Sequence, residues 1–188
     1  AKHGKQIIGW DEILEGGLED GNSIIMSWRG TEGGIAAATQ GHDAIMTPSS
    51  DGLYLDNYQG DYKIEPVAIG GYSTLEKVYN YNPTPDTLVV LKKDQHILGV
   101  QGNNWSEYIP NNEILEYRMF PRMIAVAEIG WTPLAKKDYK DFERRINNAY
   151  VRMDGHDINY HIPQPEQPNG SSNFVAFTDK ATLEFKTT

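Results

Sequence analysis

Cysteine is absent from this 188-residue sequence, and its absence removes three kinds of chemistry. The chain can form no disulfide, no thiolate metal site and no cysteine nucleophile. The histidines that could replace cysteine as metal ligands show no metal-binding spacing, and each is expected to be solvated or to cap a helix: His42, His96, His156 and His161. The sequence therefore predicts no metal and no cofactor.

Long apolar runs and positive charge are also scarce. No run approaches the roughly 20 apolar residues that a membrane-spanning helix needs, so no membrane partner is predicted. The first residues contain no apolar stretch of signal-peptide length. Lys and Arg number 17 against 26 Asp and Glu, which gives a net charge of −9. Because binding to phosphates needs a basic stripe, nucleic acid is not a predicted partner.

The regular elements alternate between strand-like and helical patterns. Strands are predicted at 5–10, 23–28, 43–47 and 96–101. Helices are predicted from Asp11, at 32–40, 73–80, 113–129 with a kink at Pro121, and 138–153. This alternation indicates a parallel α/β architecture. Short strands that each end in a Trp, a Pro or a polar cluster favour a (β/α) barrel over a doubly wound sheet. Only four βα units are present, whereas a closed barrel has eight.

Composition changes along the chain predict its domain organisation. Residues 1–160 are expected to form the α/β part, and the long irregular stretch from Ser49 to about Gln95 is expected to be functional. Residues 161–173 are rich in Pro, Gln, Asn, Gly and Ser and read as a linker. Residues 174–188 resemble the beginning of a β-rich module. The chain is thus expected to begin inside one domain and to end inside another.

Tryptophan and tyrosine are in excess, with 4 and 11 copies. Such aromatic side chains either pack in the core or form platforms for sugar rings, and composition alone leaves both open. Three tryptophans end three different predicted strands: Trp10, Trp28 and Trp105. Trp131 instead follows a helix, so core packing is predicted for it.

Five segments, taken in order, resemble the strand-end motifs of family 20 β-N-acetylhexosaminidases. They are Gly9-Trp-Asp-Glu12, Ser27-Trp-Arg-Gly30, Tyr54-Leu-Asp56, Gly99-Val-Gln-Gly-Asn-Asn-Trp-Ser-Glu107 and Phe120-Pro-Arg-Met-Ile-Ala-Val-Ala-Glu-Ile-Gly-Trp131. The agreement runs from about Ile7 to Tyr150. It implies the C-terminal half, strands five to eight, of a TIM-type (β/α)8 barrel.

The resemblance implies retaining hydrolysis of terminal β-linked GlcNAc or GalNAc, in which the substrate's own acetamido oxygen attacks the anomeric carbon. It implies no cofactor. The expected partners are amino-sugar glycans or the ends of chitooligosaccharides, and the expected setting is periplasmic or secreted and bacterial.

The resemblance also implies roles for six residues. Trp10 and Trp28 would be walls of the acetamido pocket, and Trp105 would be the floor against which the apolar face of the sugar stacks. Tyr54 would orient the acetamido oxygen by a hydrogen bond. Asp56 and Glu107 would bind sugar hydroxyls. The alternatives are tryptophans that pack between sheet and helix, an ordinary surface tyrosine and solvated loop carboxylates.

The family's catalytic acid is not found in this sequence. The acid belongs to a His-x-Gly-Gly-Asp-Glu motif after strand four, and nothing like that motif occurs here. The adjacent pair Asp11-Glu12 follows strand five of the implied barrel, so we interpret it as a helix N-terminal cap and not as a catalytic pair. The chain alone is therefore expected to lack turnover, and a non-catalytic carbohydrate-binding module is the alternative function.

Three further expectations concern the remaining polar residues and the sheet edges. Arg118 and Arg122 are expected to form surface or inter-helix ion pairs with Glu116 and Glu128. The Asn103-Asn104 pair is expected to shape the loop that presents Trp105. Half a barrel leaves two exposed edges, which predicts self-association.

Overall fold

A computed structural model describes residues 3–18 and 23–162 of the chain. Within these residues four strands form one parallel sheet: β1 (Ile7–Trp10), β2 (Ser23–Ser27), β3 (Asp43–Met46) and β4 (Ile97–Val100). The strands lie in the sheet in the same order as in the sequence. A doubly wound sheet would reverse direction at a switch point, whereas sequential order is the arrangement in a (β/α) barrel. The predicted fold class, an α/β half-barrel, is confirmed.

The helices of the described residues follow these strands. They are α1 (Glu32–Thr39), α2 (Leu75–Asn80), α3 (Asp86–Val90), α4 (Asn112–Met119), α5 (Arg122–Trp131) and α6 (Tyr139–Gly155). Short 3₁₀ helices span Asp11–Gly16, Asp94–His96, Ser106–Tyr108 and Leu134–Lys136. Two details differ from the sequence prediction. The run expected to be one kinked helix is two helices separated at Phe120-Pro121, because proline cannot continue the preceding helix. Helix α3 was not predicted at all.

The main core lies between the second half of the sheet and helices α2, α5 and α6. Helix α6 faces it with apolar residues spaced three or four apart, as an amphipathic helix does: Phe142, Ile146, Ala149 and Met153. Met46 of β3 and Leu53 and Leu55 of the following segment are fully buried on the sheet side. This packing holds the stretch after β3 firmly against the barrel wall, although that stretch has little regular structure.

The prediction that Trp131 packs in the core is wrong, since its side chain is 89% exposed. It is the last residue of α5, whose buried face carries Ala125, Val126 and Ile129. Trp131 follows Ile129 by two residues, which is a rotation of about 200° around a helix. The indole therefore points away from the core.

His42 is also placed differently from the prediction that it is solvated or caps a helix. It is buried, and its backbone N–H donates to the carbonyl of Ala37 at 3.0 Å. Gly41, with φ of 88°, makes the tight turn that brings the chain directly from α1 into β3. His42 follows this turn directly, and its side chain is buried where the chain enters β3.

The outer strands of the sheet keep apolar side chains in contact with solvent. Ile7 and Ile8 of β1 and Leu98 of β4 are each more than half exposed. None of the helices in the described part of the chain has the length and apolar character to cross a membrane. The predicted linker, apart from residues 161 and 162, and the predicted β-rich module lie outside the described residues.

Candidate functional site

The candidate site lies at the carboxyl ends of the four strands. Trp10 is the last residue of β1, Trp28 follows β2 directly, and Trp105 lies five residues beyond the end of β4. Parallel strands in register place these ends at one edge of the sheet. In (β/α) barrels this edge carries the chemistry.

The aromatic side chains at this edge form two pairs. The rings of Trp10 and Trp105 have centroids 5.8 Å apart and are tilted by 45°. The rings of Trp28 and Tyr54 are stacked, with centroids 6.2 Å apart and an interplanar angle of 23°. Trp105 is 42% exposed, so a face of this cluster is open to solvent. Trp10 thus contacts Trp105, and Trp28 contacts Tyr54, so aromatic rings from separate strand ends lie in two pairs at this edge.

The segment that carries Tyr54 is tied to the loop that carries Trp105. Leu55 N–H donates to the carbonyl of Asn103 at 2.6 Å, and Asn103 N–H donates to the carbonyl of Leu53 at 2.8 Å. The buried side chain of Asn103 donates to Thr47 Oγ1 at 2.8 Å. The expectation that the Asn103-Asn104 pair shapes this loop is confirmed for Asn103, whereas the side chain of Asn104 makes no hydrogen bond within the described residues. Burial raises the pKa of the Tyr54 phenol, and the nearby carboxylates add to the rise, so Tyr54 is a neutral donor at physiological pH.

Asp56 and Glu107 form an acidic pair at one side of the cluster. The side chain of Asp56 is buried, and burial, with a further contribution from the negative charge of Glu107, raises its pKa. Glu107 is exposed and lies on the 3₁₀ helix Ser106–Tyr108, not on a strand. The negative charge of Glu107 lies close enough to Asp56 to contribute to this rise in pKa.

Replacing Asp56 by asparagine is expected to stabilise the protein at pH 7. A carboxyl whose pKa is raised in the folded state contributes stability below its unfolded pKa, and loses that contribution as the pH rises through the folded value. At pH 7 ionised Asp56 therefore costs stability, which a neutral amide of the same shape avoids. Thermal unfolding should show a higher Tm for Asp56→Asn at pH 7, and the difference should vanish near pH 4.

The matched control for Asp56→Asn is Asp157→Asn. Asp157 is exposed and has a φ of 56°, a conformation that asparagine also accepts, so Asp157→Asn should unfold at nearly the same temperature as the unaltered protein. A lower Tm for Asp56→Asn at pH 7 would contradict this account and would mean that the carboxylate stabilises the fold.

Arg118 and Arg122 are both buried, so the prediction of surface ion pairs with Glu116 and Glu128 is wrong. Arg118 pairs with the buried Glu65 at 3.3 Å and also donates to the carbonyl of Pro66. Arg122 donates to backbone carbonyls, among them those of Asn57 at 3.2 Å and Ser73 at 2.8 Å. A further bond reaches the carbonyl of Leu55. The two arginines therefore hold the long irregular segment, including the part that carries Tyr54 and Asp56.

Asp11 and Glu12 lie in the first turn of a 3₁₀ helix but make no side-chain cap bond there, so the cap interpretation is wrong in its contacts. Their side chains reach across to the loop after β2. Asp11 is buried and accepts from Trp28 N–H at 3.1 Å and from Arg29 Nε at 2.6 Å. The acidic pair thus links two strand ends, an arrangement that adjacent residues in a sequence do not reveal.

A metal-binding cluster is not part of this site. Among residues 3–18 and 23–162 no group of three or more His, Asp or Glu side chains is arranged to hold a metal ion. His96 instead pairs with Asp43 at 3.0 Å, and His161 with Glu65 at 3.5 Å.

Comparisons with known proteins agree with this geometry. Residues 1–134 match the family described as glycosyl hydrolase family 20, catalytic domain. A β-hexosaminidase of Porphyromonas gingivalis is 62% identical over 186 residues, which are 99% of this chain and 24% of that protein. One from Vibrio furnissii is 32% identical over 129 residues, covering 68% of this chain and 21% of the relative.

The fold agrees with solved structures as well. The family 20 exo-β-N-acetylglucosaminidase of Vibrio harveyi, solved in complex with N-acetylglucosamine, superimposes with a TM-score of 0.75 at 32% identity. The match covers 86% of this chain and 25% of that one. The chain therefore spans about a quarter of the length of these relatives. Since the family match covers most of the sequence, the chain belongs to the catalytic domain of glycosyl hydrolase family 20.

Proposed function

We propose that the protein carrying this chain is an exo-β-N-acetylhexosaminidase and that this chain supplies its acetamido pocket. The observation that carries the proposal is the two aromatic pairs at the carboxyl edge of the sheet, Trp10 with Trp105 and Trp28 with Tyr54. A pyranose presents C–H groups on one face, and flat aromatic rings bury them at little conformational cost. The indole of Trp105, partly open to solvent, is the floor on which the sugar stacks.

The polar groups beside these rings fit the hydroxyls and the acetamido group of such a sugar. The Tyr54 phenol donates to the acetamido oxygen and orients it for attack on the anomeric carbon, the step that a protein nucleophile performs in other retaining glycosidases. The same hydrogen bond stabilises the charge that develops on the acetamido group as its oxygen closes an oxazolinium-like ring with the anomeric carbon. The carboxylates of Asp56 and Glu107 accept hydrogen bonds from sugar hydroxyls, and neither residue transfers a proton.

The general acid would have to come from outside these 188 residues, because no His-x-Gly-Gly-Asp-Glu motif is present. The chain alone is therefore expected to bind the glycone without hydrolysing it.

Aryl N-acetyl-β-glucosaminide, with aryl β-glucoside as the matched substrate lacking the acetamido group, tests the proposal. The whole protein should hydrolyse only the former, and the 188-residue chain neither. Comparable turnover of both substrates by the whole protein would overturn substrate assistance, and turnover by the chain alone would overturn its dependence on an external acid.

A non-catalytic sugar-binding module is the second candidate, favoured by the exposure of Trp105. It would show GlcNAc binding that Trp105→Ala abolishes, in a whole protein without turnover.

The proposed domain organisation has three parts. The half-barrel is proposed to span residues 1–160, the linker 161–173 and the start of a further module 174–188. The exposed side chains on β1 and β4 support self-association of the isolated chain, and a strictly monomeric species in light scattering would contradict it.

A further inference from the structure

The indole of Trp28 is held by a carboxylate from the preceding strand end. Trp28 Nε1 donates to both oxygens of Glu12, each at 3.0 Å. This hydrogen bond also holds the pKa of Glu12 below its usual range, so the acceptor is ionised at neutral pH. A charged acceptor makes a stronger bond than a neutral one.

The backbone of Trp28 is fixed by the residue next to Glu12. Asp11 accepts from the Trp28 N–H at 3.1 Å and from the Arg29 N–H at 3.4 Å. Asp11 also packs closely against Gly33 at the start of α1. A Cβ on Gly33 would lie 2.7 Å from Asp11 Cβ, so a larger residue does not fit there. Asp11 thus sets the position of the main chain, and Glu12 sets the rotation of the ring.

The ring of Trp28 in turn touches Tyr54. Rotation of an indole about its terminal torsion is soft, because sp³–sp² torsions have broad wells. A bond at the ring edge removes this freedom, and the stacked phenol of Tyr54 then has one surface to pack against. Glu12 therefore contacts Tyr54 indirectly, through its hydrogen bond to Trp28 and the stacking of Trp28 on Tyr54.

We propose that Glu12 is a positioning residue, which acts on the reaction by fixing Trp28 and, through it, the Tyr54 hydroxyl. Glu12 itself touches neither the sugar nor the reacting atoms. This inference rests on the proposed function, because it assigns Glu12 to the pocket that binds the acetamido group. It also gives the Asp11-Glu12 pair a role that is neither a helix cap nor general acid catalysis.

The test compares three variants in the whole protein. Glu12→Ala removes the acceptor and should lower kcat/KM for aryl N-acetyl-β-glucosaminide about tenfold, mainly through kcat. Glu12→Gln keeps an oxygen acceptor and should lower it less than threefold. Glu15→Ala is the matched control, since Glu15 lies on the same 3₁₀ helix and pairs with Arg29 at 3.0 Å, but not with Trp28. It should change kcat/KM less than twofold.

A double-mutant cycle separates positioning from a general loss of structure. If Glu12 acts through Tyr54, Glu12→Ala should cost less than threefold when Tyr54→Phe is already present. The indole N–H resonance of Trp28 should shift in Glu12→Ala and stay in place in Glu15→Ala. Undiminished turnover by Glu12→Ala, or additive effects in the cycle, would overturn this inference alone. No turnover by the unaltered protein would overturn the proposed function, and this inference with it.

Discussion

Replacing Tyr54 by phenylalanine is expected to lower kcat/KM of the whole protein about 10- to 150-fold on aryl N-acetyl-β-glucosaminide. The change removes one hydroxyl and keeps the ring that stacks on Trp28 at 6.2 Å. A hydrogen bond to the charge that develops on the acetamido group is worth about 1.5–3 kcal/mol, which corresponds to that range of rates. The loss should fall mainly on kcat, because the bond strengthens in the transition state.

Steady-state kinetics measures this effect, with Tyr62→Phe as the control. Tyr62 is 65% exposed and lies on the same long segment, so its hydroxyl should not matter to the reaction. If Tyr54→Phe raises KM with kcat unchanged, the hydroxyl binds the ground state and the transition state equally and does not accelerate the chemical step. If neither parameter changes, Tyr54 is a packing residue and the proposed pocket is wrong.

Replacing Arg122 by methionine is expected to lower the free energy of unfolding by about 3–5 kcal/mol, because it leaves buried groups without partners. The side chain is fully buried and donates to four backbone carbonyls, including that of Arg118 at 2.6 Å. Burial, with the charge of Arg118, lowers the pKa of Arg122 to about 9, so the guanidinium is still charged at neutral pH. Methionine fills much of the volume but donates no hydrogen bond.

Urea titrations monitored by tryptophan fluorescence measure the change, with unchanged m-values as the check that only stability has altered. Arg144→Met is the matched control, because Arg144 is exposed and, within the described residues, pairs with Asp141 alone, at 2.8 Å. Its effect should stay within about 0.5 kcal/mol. Arg122→Lys should fall between the two, since an ammonium cannot reproduce the planar fork of donors. A loss of less than about 1 kcal/mol in Arg122→Met would show that the carbonyls find other partners.

The strand-end residues could be predicted from the sequence because strand periodicity and chain order carry the information. Trp10 and Trp28 come at the ends of apolar runs, and parallel strands bring their carboxyl ends to one edge. The alternation of strands and helices likewise predicts the α/β class without any knowledge of packing.

The partners of the charged residues could not be predicted in the same way. Arg122 and Arg144 are the same residue type on helices, yet one is buried against carbonyls and the other is exposed. The sequence of Asp11 and Glu12 is typical of a helix start. Their carboxylates instead accept hydrogen bonds from Trp28 and Arg29, which lie 16 to 18 residues later in the chain. Such contacts depend on where separate elements come to lie in three dimensions, and sequence spacing does not encode that distance.

The sequence by itself determined the class of fold, the order of the strands and the aromatic residues at their ends, because these follow from local periodicity and covalent order. Only the tertiary structure decided how those residues are held. In the folded chain Trp28 stacks on Tyr54, and the charge of Glu107 lies near the buried Asp56. The side chain of Trp131 is exposed to solvent. The physical reason is that a ring or a charge takes its orientation from neighbours distant in the chain, which only the packed fold brings into contact.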